Sequence, residues 1–319
     1  MARLFQTLFL TASATRVFAS CAYGTHLMPR AEGEVKISTF GYTGSIGPLN
    51  WAALATPENN ACATGTKQSP IDMVDSVFQV ISAADVTFEV NDMPDGAEFE
   101  NLGTTVEVIT QGGRLVLDNK EFALQQFHFH LPSEHLDNGT SQAMEMHMVH
   151  QAEDGQIAVV GVYINIATEA AAAAAKRSLS SRSRLFGRQE AVAPPAASGA
   201  ASPLLETIFS VVDQISVPGT KVKTPPLVMK EVVDAVKAGS FQAYSGSLTT
   251  PPCSEGVNWR VSTAKLNVSP ASFIKARDVI GFNSRFPQNT PGSPNILMIS
   301  ALGSAAAAVS VAGTAAPPA

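Results

Sequence analysis

The sequence predicts a mainly β chain with short helices, an α+β fold. Short runs of alternating apolar and polar residues recur between residues 36 and 166. Glycine, asparagine and aspartate punctuate those runs. One helical period stands out near Leu204. The 319 residues allow two domains at roughly 100–200 residues each, and one β-rich domain of about 250 residues also fits. Apolar residues make up 45% and charged residues 15%, enough for a sizeable core and too apolar for wholesale disorder. A formal net charge of −6 argues against a nucleic-acid partner, which calls for a basic face. No mid-chain run of about 18 strongly apolar residues occurs, which excludes an integral membrane core. Three cysteines are too few for a disulfide scaffold and too scattered for a cysteine-rich zinc module.

Residues 1–19 read as a targeting segment. Arg3 precedes an apolar run from Leu4 to Ala12, and Val17-Phe18-Ala19 resembles a small-residue cleavage site before Ser20. A signal peptide is expected, with an organellar transit segment as the alternative. Thr104 to Val108 and Arg114 to Leu117 alternate as strands do, with turn signals at Pro94-Asp95-Gly96 and Gln111-Gly112-Gly113. Ala158 to Ile166 is a more continuous apolar run and reads as a buried central strand. Residues 167–201 break the pattern. An alanine run from Ala170 to Ala175 leads into Lys176, Arg177, Arg182, Arg184 and Arg188. This reads as a low-complexity insertion at a loop, with processing at Lys176-Arg177 or a basic docking patch as the sharper alternatives. Leu204, Leu205, Ile208, Val211 and Val212 then recur at helical spacing behind Ser202 and Pro203, an N-cap and first-turn pair. Residues 226–274 read as strands and loops. The tail 300–319 reads as an alanine-rich disordered extension rather than a membrane anchor.

Five of the six histidines, His128, His130, His135, His147 and His150, lie in the 23 residues from 128 to 150, where uniform scatter would place about 0.4. In Gln125-Gln126-Phe127-His128-Phe129-His130, strand alternation puts Gln126, His128 and His130 on one face and the phenylalanines on the other. Imidazoles at i and i+2 stand about 6.5–7 Å apart at their Cα atoms, a separation that lets both converge on one ion. In Met144 to His150, Glu145, His147 and Val149 share one face, while Met144, Met146, Met148 and His150 share the other. Pro132, Asp137, Asn138 and Gly139 between the runs signal a reversal, so antiparallel pairing of their polar faces is expected.

That pairing gathers nitrogens of His128, His130 and His147 around one centre and leaves a fourth tetrahedral position for water, the catalytic rather than structural zinc pattern. Such an ion brings its water to a pKa of about 7 and supplies hydroxide at neutral pH. Gln126 and Glu145 each sit two residues before a ligand on the same face and suit the holding of ring N–H groups. His150 points away and reads as a structural histidine, His135 as a hydrogen-bonding anchor. His128, His130 and Glu134 also fit the first metal motif of cupins, but the downstream histidine a cupin needs is missing after His150.

Gln126 to His130, Ser133-Glu134-His135, Glu145-Met146-His147 with Val149-His150, and Ser247-Leu248-Thr249-Thr250-Pro251-Pro252-Cys253 together resemble the α-class carbonic anhydrases. Gly47-Pro48-Leu49-Asn50-Trp51, Gln68-Ser69-Pro70-Ile71 and Asn258-Trp259 extend the likeness from Phe40 to Gln288, outside the 167–201 insertion. The resemblance implies a single catalytic domain over 36–290 with a central, twisted, mostly antiparallel sheet and a Zn²⁺ in a conical cleft. It implies a carbonate dehydratase, a lyase that hydrates CO₂ to bicarbonate through zinc-bound hydroxide. Thr249 would accept a hydrogen bond from the hydroxide and pass its own proton toward Glu134. Val149, Val159, Leu248, Thr250, Val257 and Trp259 would form the substrate site, and Tyr42 would hold cleft water. Cys62 and Cys253 would form the disulfide of secreted members, leaving Cys21 to depart with the signal. The expected partners are CO₂ and bicarbonate, with no nucleic acid and no membrane anchor, and the oligomeric state is left open. The expected location is the periplasm or extracellular space, with an organelle lumen such as the plastid as the alternative. A zinc-less or weakly active binding module and a zinc-dependent esterase are the alternative functions.

Two departures from the family pattern stand out. The family often has Asn-Asn-Gly-His at the cleft wall, its histidine shuttling protons; here the stretch is Asn101-Leu102-Gly103-Thr104, and a threonine does not titrate near neutral pH. Phe40 stands where tryptophan is usual. Asn138-Gly139-Thr140 and Asn267-Val268-Ser269 are N-glycosylation patterns.

Overall fold

The structure, a computed structural model, describes residues 34–110, 112–168 and 199–301. The targeting segment 1–19, Cys21, the Lys176-Arg177 pair with most of the insertion, and the tail beyond Ala301 lie outside the described residues. Two one-turn helices open the domain, α1 (Trp51–Leu54) and α2 (Ala61–Thr64). Ten strands follow: β1 (Asp72–Met73), β2 (Gln79–Ser82), β3 (Thr87–Val90), β4 (Glu98–Asn101), β5 (Val106–Ile109), β6 (Gly113–Leu117), β7 (Lys120–His130), β8 (Leu136–Asp137), β9 (Met144–Gln151) and β10 (Ile157–Ile166). After the insertion come α3 (Pro203–Phe209), β11 (Lys221–Lys223), α4 (Lys230–Lys237), β12 (Ser240–Ser247), β13 (Glu255–Ser262), β14 (Leu266–Val268) and α5 (Pro270–Ile280).

Twelve strands form one sheet in the order β11-β4-β5-β7-β9-β10-β13-β12-β2, with β6 also on β7, β3 on β6 and β14 on β10. The sheet is mixed. Its pairings are antiparallel except those of β10 with β13 and with β14, which are parallel. The continuous apolar run is β10, buried on both faces as an interior strand must be. Ala158, Val160, Val162 and Ile164 join the main core, while Val159 and Tyr163 join a second cluster on the opposite face.

The strand that carries the paired histidines does not alternate throughout. Phe122 and Leu124 face the main core, and so do Phe127 and Phe129. The parity changes because β7 slips against β9 between Leu124 and Gln126, leaving Gln125 as an extra residue. This β-bulge rotates the strand by one position. Without it, either Phe122 and Leu124 or Phe127 and Phe129 would leave the core.

Three sequence expectations need correction. Thr104 and Thr105 precede β5 rather than opening it; the Thr105 hydroxyl donates to the Phe129 carbonyl at 2.6 Å, so this side chain ties the loop down. The helical period from Leu204 splits into α3 and a separate 3-10 turn over Val212–Ile215. The N-cap holds as expected, with the Ser202 hydroxyl accepting from the Leu205 N–H. Residues 226–274 contain helices as well as strands. In α4, Val232 and Val236 are buried one turn apart and Lys230 bonds Asp234 at 2.6 Å. Its valines favour strand by propensity, and packing of one apolar stripe overrides that. For α5, Ser269 caps the start, Pro270 fills the first turn and Gly281 follows the end with φ +69°.

His150 lies on the core face of β9, packed edge-on against Phe88, and its Nδ1–H donates to the Met148 carbonyl at 3.0 Å. Burial pushes its pKa down to about 4 from the ordinary 6.5. The unfolded chain therefore binds a proton that the fold refuses. This contribution to stability is complete above pH 6.5 and is lost as pH falls toward about 4, on the order of 3 kcal/mol in full. Urea midpoints of the wild type should fall over that window more steeply than those of His150→Asn; parallel curves would contradict the assignment.

Candidate metal centre

The β7–β9 register sets His128 directly opposite His147. Ring centroids of His128, His130 and His147 lie 4.5 to 5.4 Å apart, and one nitrogen of each falls within 4.8 Å of the others. All three are buried. On the other side of β7, β5 sets the buried Glu107 opposite His128.

The outer nitrogens fix which inner nitrogens are free. The His128 Nδ1–H donates to Gln126 Oε1 at 2.9 Å, which leaves Nε2 as the lone-pair nitrogen. The His130 Nδ1–H donates to the Asn283 carbonyl at 2.9 Å, again leaving Nε2. His147 is reversed: its Nε2–H donates to Glu145 Oε1 at 2.9 Å and leaves Nδ1. Burial, reinforced by the neighbouring imidazoles, pushes the pKa of His128 down and that of His130 down to about 3. Both rings are thus held neutral, the form that binds metals.

Glu145 is the anchor of this arrangement. Its Oε1 accepts from His147 and from the His135 Nδ1–H at 2.7 Å; its Oε2 accepts the backbone N–H groups of Glu134 and His135, each at 2.9 Å. Burial would raise its pKa, but His135 and His147 outweigh burial and hold the carboxylate well below the usual range. The His135 Nε2 accepts from the Tyr244 hydroxyl at 2.7 Å, and that hydroxyl also bonds the Ser69 hydroxyl at 2.8 Å. His135, Glu145 and His147 also form a grouping of ligand types, but mutual hydrogen bonds already satisfy it. It orients His147 rather than holding a second ion.

Glu134 lies against the same centre. Its Oε2 is 3.5 Å from His130 Nε2 and 3.9 Å from His147 Nδ1, and its Oε1 accepts the Arg285 N–H at 2.8 Å. Burial raises its pKa to about 7, while His147, the Arg285 N–H and a hydrogen bond from Thr249 oppose the rise. Val149, Val159, Leu248, Val257 and Trp259 meet in one buried cluster on this face, with Trp259 packed edge-on at 4.9 Å from the His147 ring. Thr250 is half-buried in the Thr249 loop, where its carbonyl accepts the Cys253 N–H. Tyr42 packs on Phe40 and Trp51 beside the Cys62–Cys253 disulfide, which spans 191 residues. Phe40 packs edge-on to Trp51 at 5.4 Å. Thr104 is buried, its hydroxyl 2.9 Å from that of Ser38.

Several residues of the centre were not read from the sequence. Asn283 and Arg285 reach it through backbone atoms more than 150 positions away from His130 and Glu134, a contact that no local motif marks. Tyr244 looks like an ordinary strand aromatic. Gly161, opposite His147 on β10, is glycine because a Cβ there would stand 2.9 Å from Glu145 Oε1.

The residues suit a divalent ion. His130 Nε2 and Glu134 Oε2 are buried without hydrogen-bond partners, and three converging neutral imidazoles are a transition-metal donor set. A sequence model of the eukaryotic-type carbonic anhydrases matches residues 46–290. The chain belongs to this family. A carbonic anhydrase of Nostoc sp. is 31% identical to it, over 85% of this chain and 86% of that protein. The fungal α carbonic anhydrase of Aspergillus oryzae superposes with a TM-score of 0.70 at 33% identity, covering 82% of this chain and 98% of that one. The α-carbonic anhydrase of Thermovibrio ammonificans, solved with the inhibitor sulfanilamide, gives a TM-score of 0.62 at 34% identity, covering 79% and 95%.

In this chain, Gly161→Ala should displace the Glu145 carboxylate and loosen His147. Divalent-ion affinity is expected to fall by about 10–100-fold, the usual effect of disturbing a group that orients a ligand. Competition with a chromophoric chelator measures it, and an unchanged affinity would refute the close-approach argument.

Proposed function

We propose that this chain is a zinc enzyme that interconverts carbon dioxide and bicarbonate. The observation that carries the reading is one buried centre at which three metal-ready imidazole nitrogens adjoin an apolar wall and the Glu134–Thr249 pair. His128, His130 and His147 would hold the ion, which when bound acidifies a water ligand toward a pKa of about 7 and so supplies a nucleophile at neutral pH.

The rest of the chemistry falls to the protein. A threonine hydroxyl has one proton. With that proton given to Glu134, only the oxygen lone pairs of Thr249 face the centre, so Thr249 accepts a hydrogen bond from the nucleophile and fixes its orientation. The Arg285 N–H on Glu134 Oε1 keeps the carboxylate facing Thr249. Val149, Val159, Leu248, Val257 and Trp259 offer an apolar surface for linear CO₂, and Thr250 would join them from the Thr249 loop. Gln126 and Glu145 hold the ring N–H groups.

Proton removal takes a different form. Tyr42 would hold cleft water, and Thr104, engaged with Ser38, stands at the position where the family often has its proton-shuttling histidine. The five described histidines are all buried, so none of them swings between the centre and bulk solvent, and protons leave to dissolved buffer. A disulfide supports an oxidising compartment. No helix among the described residues is long and apolar enough to cross a membrane. We place the protein outside the cytosol, in the periplasm or extracellular space, with an organelle lumen as the alternative.

Metal analysis with stopped-flow CO₂ hydration tests the function. One zinc per chain is expected, with hydration lost on chelation, restored by zinc and inhibited by sulfanilamide. His147→Ala should lose both metal and hydration; bicarbonate production surviving in that variant would sink the proposal. For proton release, Thr104→His should raise kcat in dilute buffer by roughly 10-fold or more and leave kcat/KM unchanged. Added imidazole should accelerate the wild type similarly. A turnover indifferent to both would mean that an internal group carries the proton.

A further inference from the structure

The two glycosylation patterns, Asn138-Gly139-Thr140 and Asn267-Val268-Ser269, meet very different surroundings. Asn138 and Gly139 form the tip of a two-residue hairpin turn. The Asp137 N–H donates to the Thr140 carbonyl at 2.8 Å, the Thr140 N–H returns to the Asp137 carbonyl at 3.1 Å, and φ is +49° at Asn138 and +76° at Gly139. This is the primed turn that Asn-Gly favours. All three residues are exposed. The turn is pinned from below by the Gly139 N–H, which donates to Asp72 Oδ1 at 2.8 Å. Among the described residues, neither the Asn138 amide nor the Thr140 hydroxyl has a hydrogen-bond partner. A Cβ added at Gly139 would find its nearest neighbour only at 4.0 Å, so the space around the tip is open.

The second pattern is absorbed by the fold. Asn267 is half-buried in β14, opposite Asn165 of β10, and its carbonyl accepts the Ser202 N–H at 2.7 Å. The Ser269 hydroxyl donates to Glu206 Oε2 at 2.8 Å and accepts the Ser272 N–H at 3.2 Å, capping α5. Pro270 follows directly and holds Ser269 extended, at ψ 151°.

We propose that Asn138, and not Asn267, is the N-glycosylation site of this protein. An acceptor asparagine must fold back so that its amide meets the hydroxyl two residues on, an Asx-type turn. In the nascent chain Gly139 permits that turn at no steric cost, whereas Pro270 denies Ser269 the non-extended conformations it would need. The reaction takes an oligosaccharide carried on a polyprenyl diphosphate. A bond forms between Asn138 Nδ2 and the anomeric carbon, the bond from that carbon to the diphosphate oxygen breaks, and polyprenyl diphosphate leaves. The amide proton passes to a base of the transferase. The finished glycan projects from an exposed turn whose backbone bonds it does not disturb, as a bulky surface modification requires. At Asn267 it would have to share space with the β10–β14 pairing and the α3 N-terminus.

The test uses the full chain secreted from a eukaryotic host behind a strong cleavable leader, so that its own targeting segment is not at issue. Intact mass is measured before and after peptide-N-glycosidase treatment in heavy-oxygen water, which marks the former glycan site as a heavy aspartate. One glycan per chain is expected, with the mark on Asn138 alone. Asn138→Gln and Thr140→Ala should each remove it, and Asn267→Gln should leave it. A secreted wild type without glycan, or a mark on Asn267, overturns the proposal; site mapping on the wild type decides even if a variant misfolds.

Discussion

The register of β7 against β9 is the constraint on which the site depends. It is set twice over. The core demands Phe122, Leu124, Phe127 and Phe129 on one face, and the metal centre demands His128 opposite His147 on the other. A regular strand cannot meet both, since the phenylalanines at 122 and 127 differ in parity. The extra residue at Gln125 reconciles them. Hydrophobic burial therefore fixes the imidazole geometry: moving the histidines by one residue would expose two phenylalanines, each worth about 1.5–3 kcal/mol of burial. The site has little freedom to slip because its scaffold is paid for on the opposite face.

Burial sets the protonation states that the centre needs. The rings of His128 and His130 stay neutral because a charged imidazole there would be desolvated beside its like neighbours. Glu145 stays ionised in the same dry region because four N–H donors surround it. One environment thus yields opposite outcomes for two groups, and the local supply of donors decides between them. Glu134, with fewer donors, lies between these limits. The same logic accounts for Gly161: the space a methyl group would need is taken by the carboxylate that orients His147.

Much of this was legible in the residues. Two-residue periodicity alone assigns faces to Gln126, His128, His130, Glu145, His147 and Val149, and those faces converge. The continuous run at 158–166 marks the strand buried on both sides. What could not be read has physical causes. Gln125 and Gln126 are adjacent and chemically identical, so nothing in the sequence says which is the bulged residue. Asn283 and Arg285 act through backbone atoms, which every residue carries, and no side-chain pattern records such contacts. The valines of α4 favour strand until a partner surface selects a helix. The Ser269-Pro270 start and Gly281 stop of α5 carry the same signals as Ser202-Pro203, and there the information was present in the chain.

The segment after α5 also ties the disulfide to Glu134 and Thr249. The Arg285 N–H holds Glu134, while its guanidinium reaches into a different neighbourhood: Nη1 donates to the Ser69 carbonyl at 2.6 Å, and Nη2 donates to Gln68 Oε1 at 2.9 Å and the Cys62 carbonyl at 3.2 Å. Burial lowers its pKa to about 10, so the group remains charged at neutral pH. A buried cation is tolerated only where acceptors surround it, and these acceptors come from chain segments that α2 and the Cys62–Cys253 bond bring together. Gln68 completes the link, since its Nε2 donates to the Cys253 carbonyl at 3.0 Å. Cys253 ends the loop that carries Thr249. Both partners of the Glu134–Thr249 hydrogen bond are therefore positioned from one side by the same cluster, so a disturbance of the Cys62 region reaches the Thr249 hydroxyl without touching His128, His130 or His147.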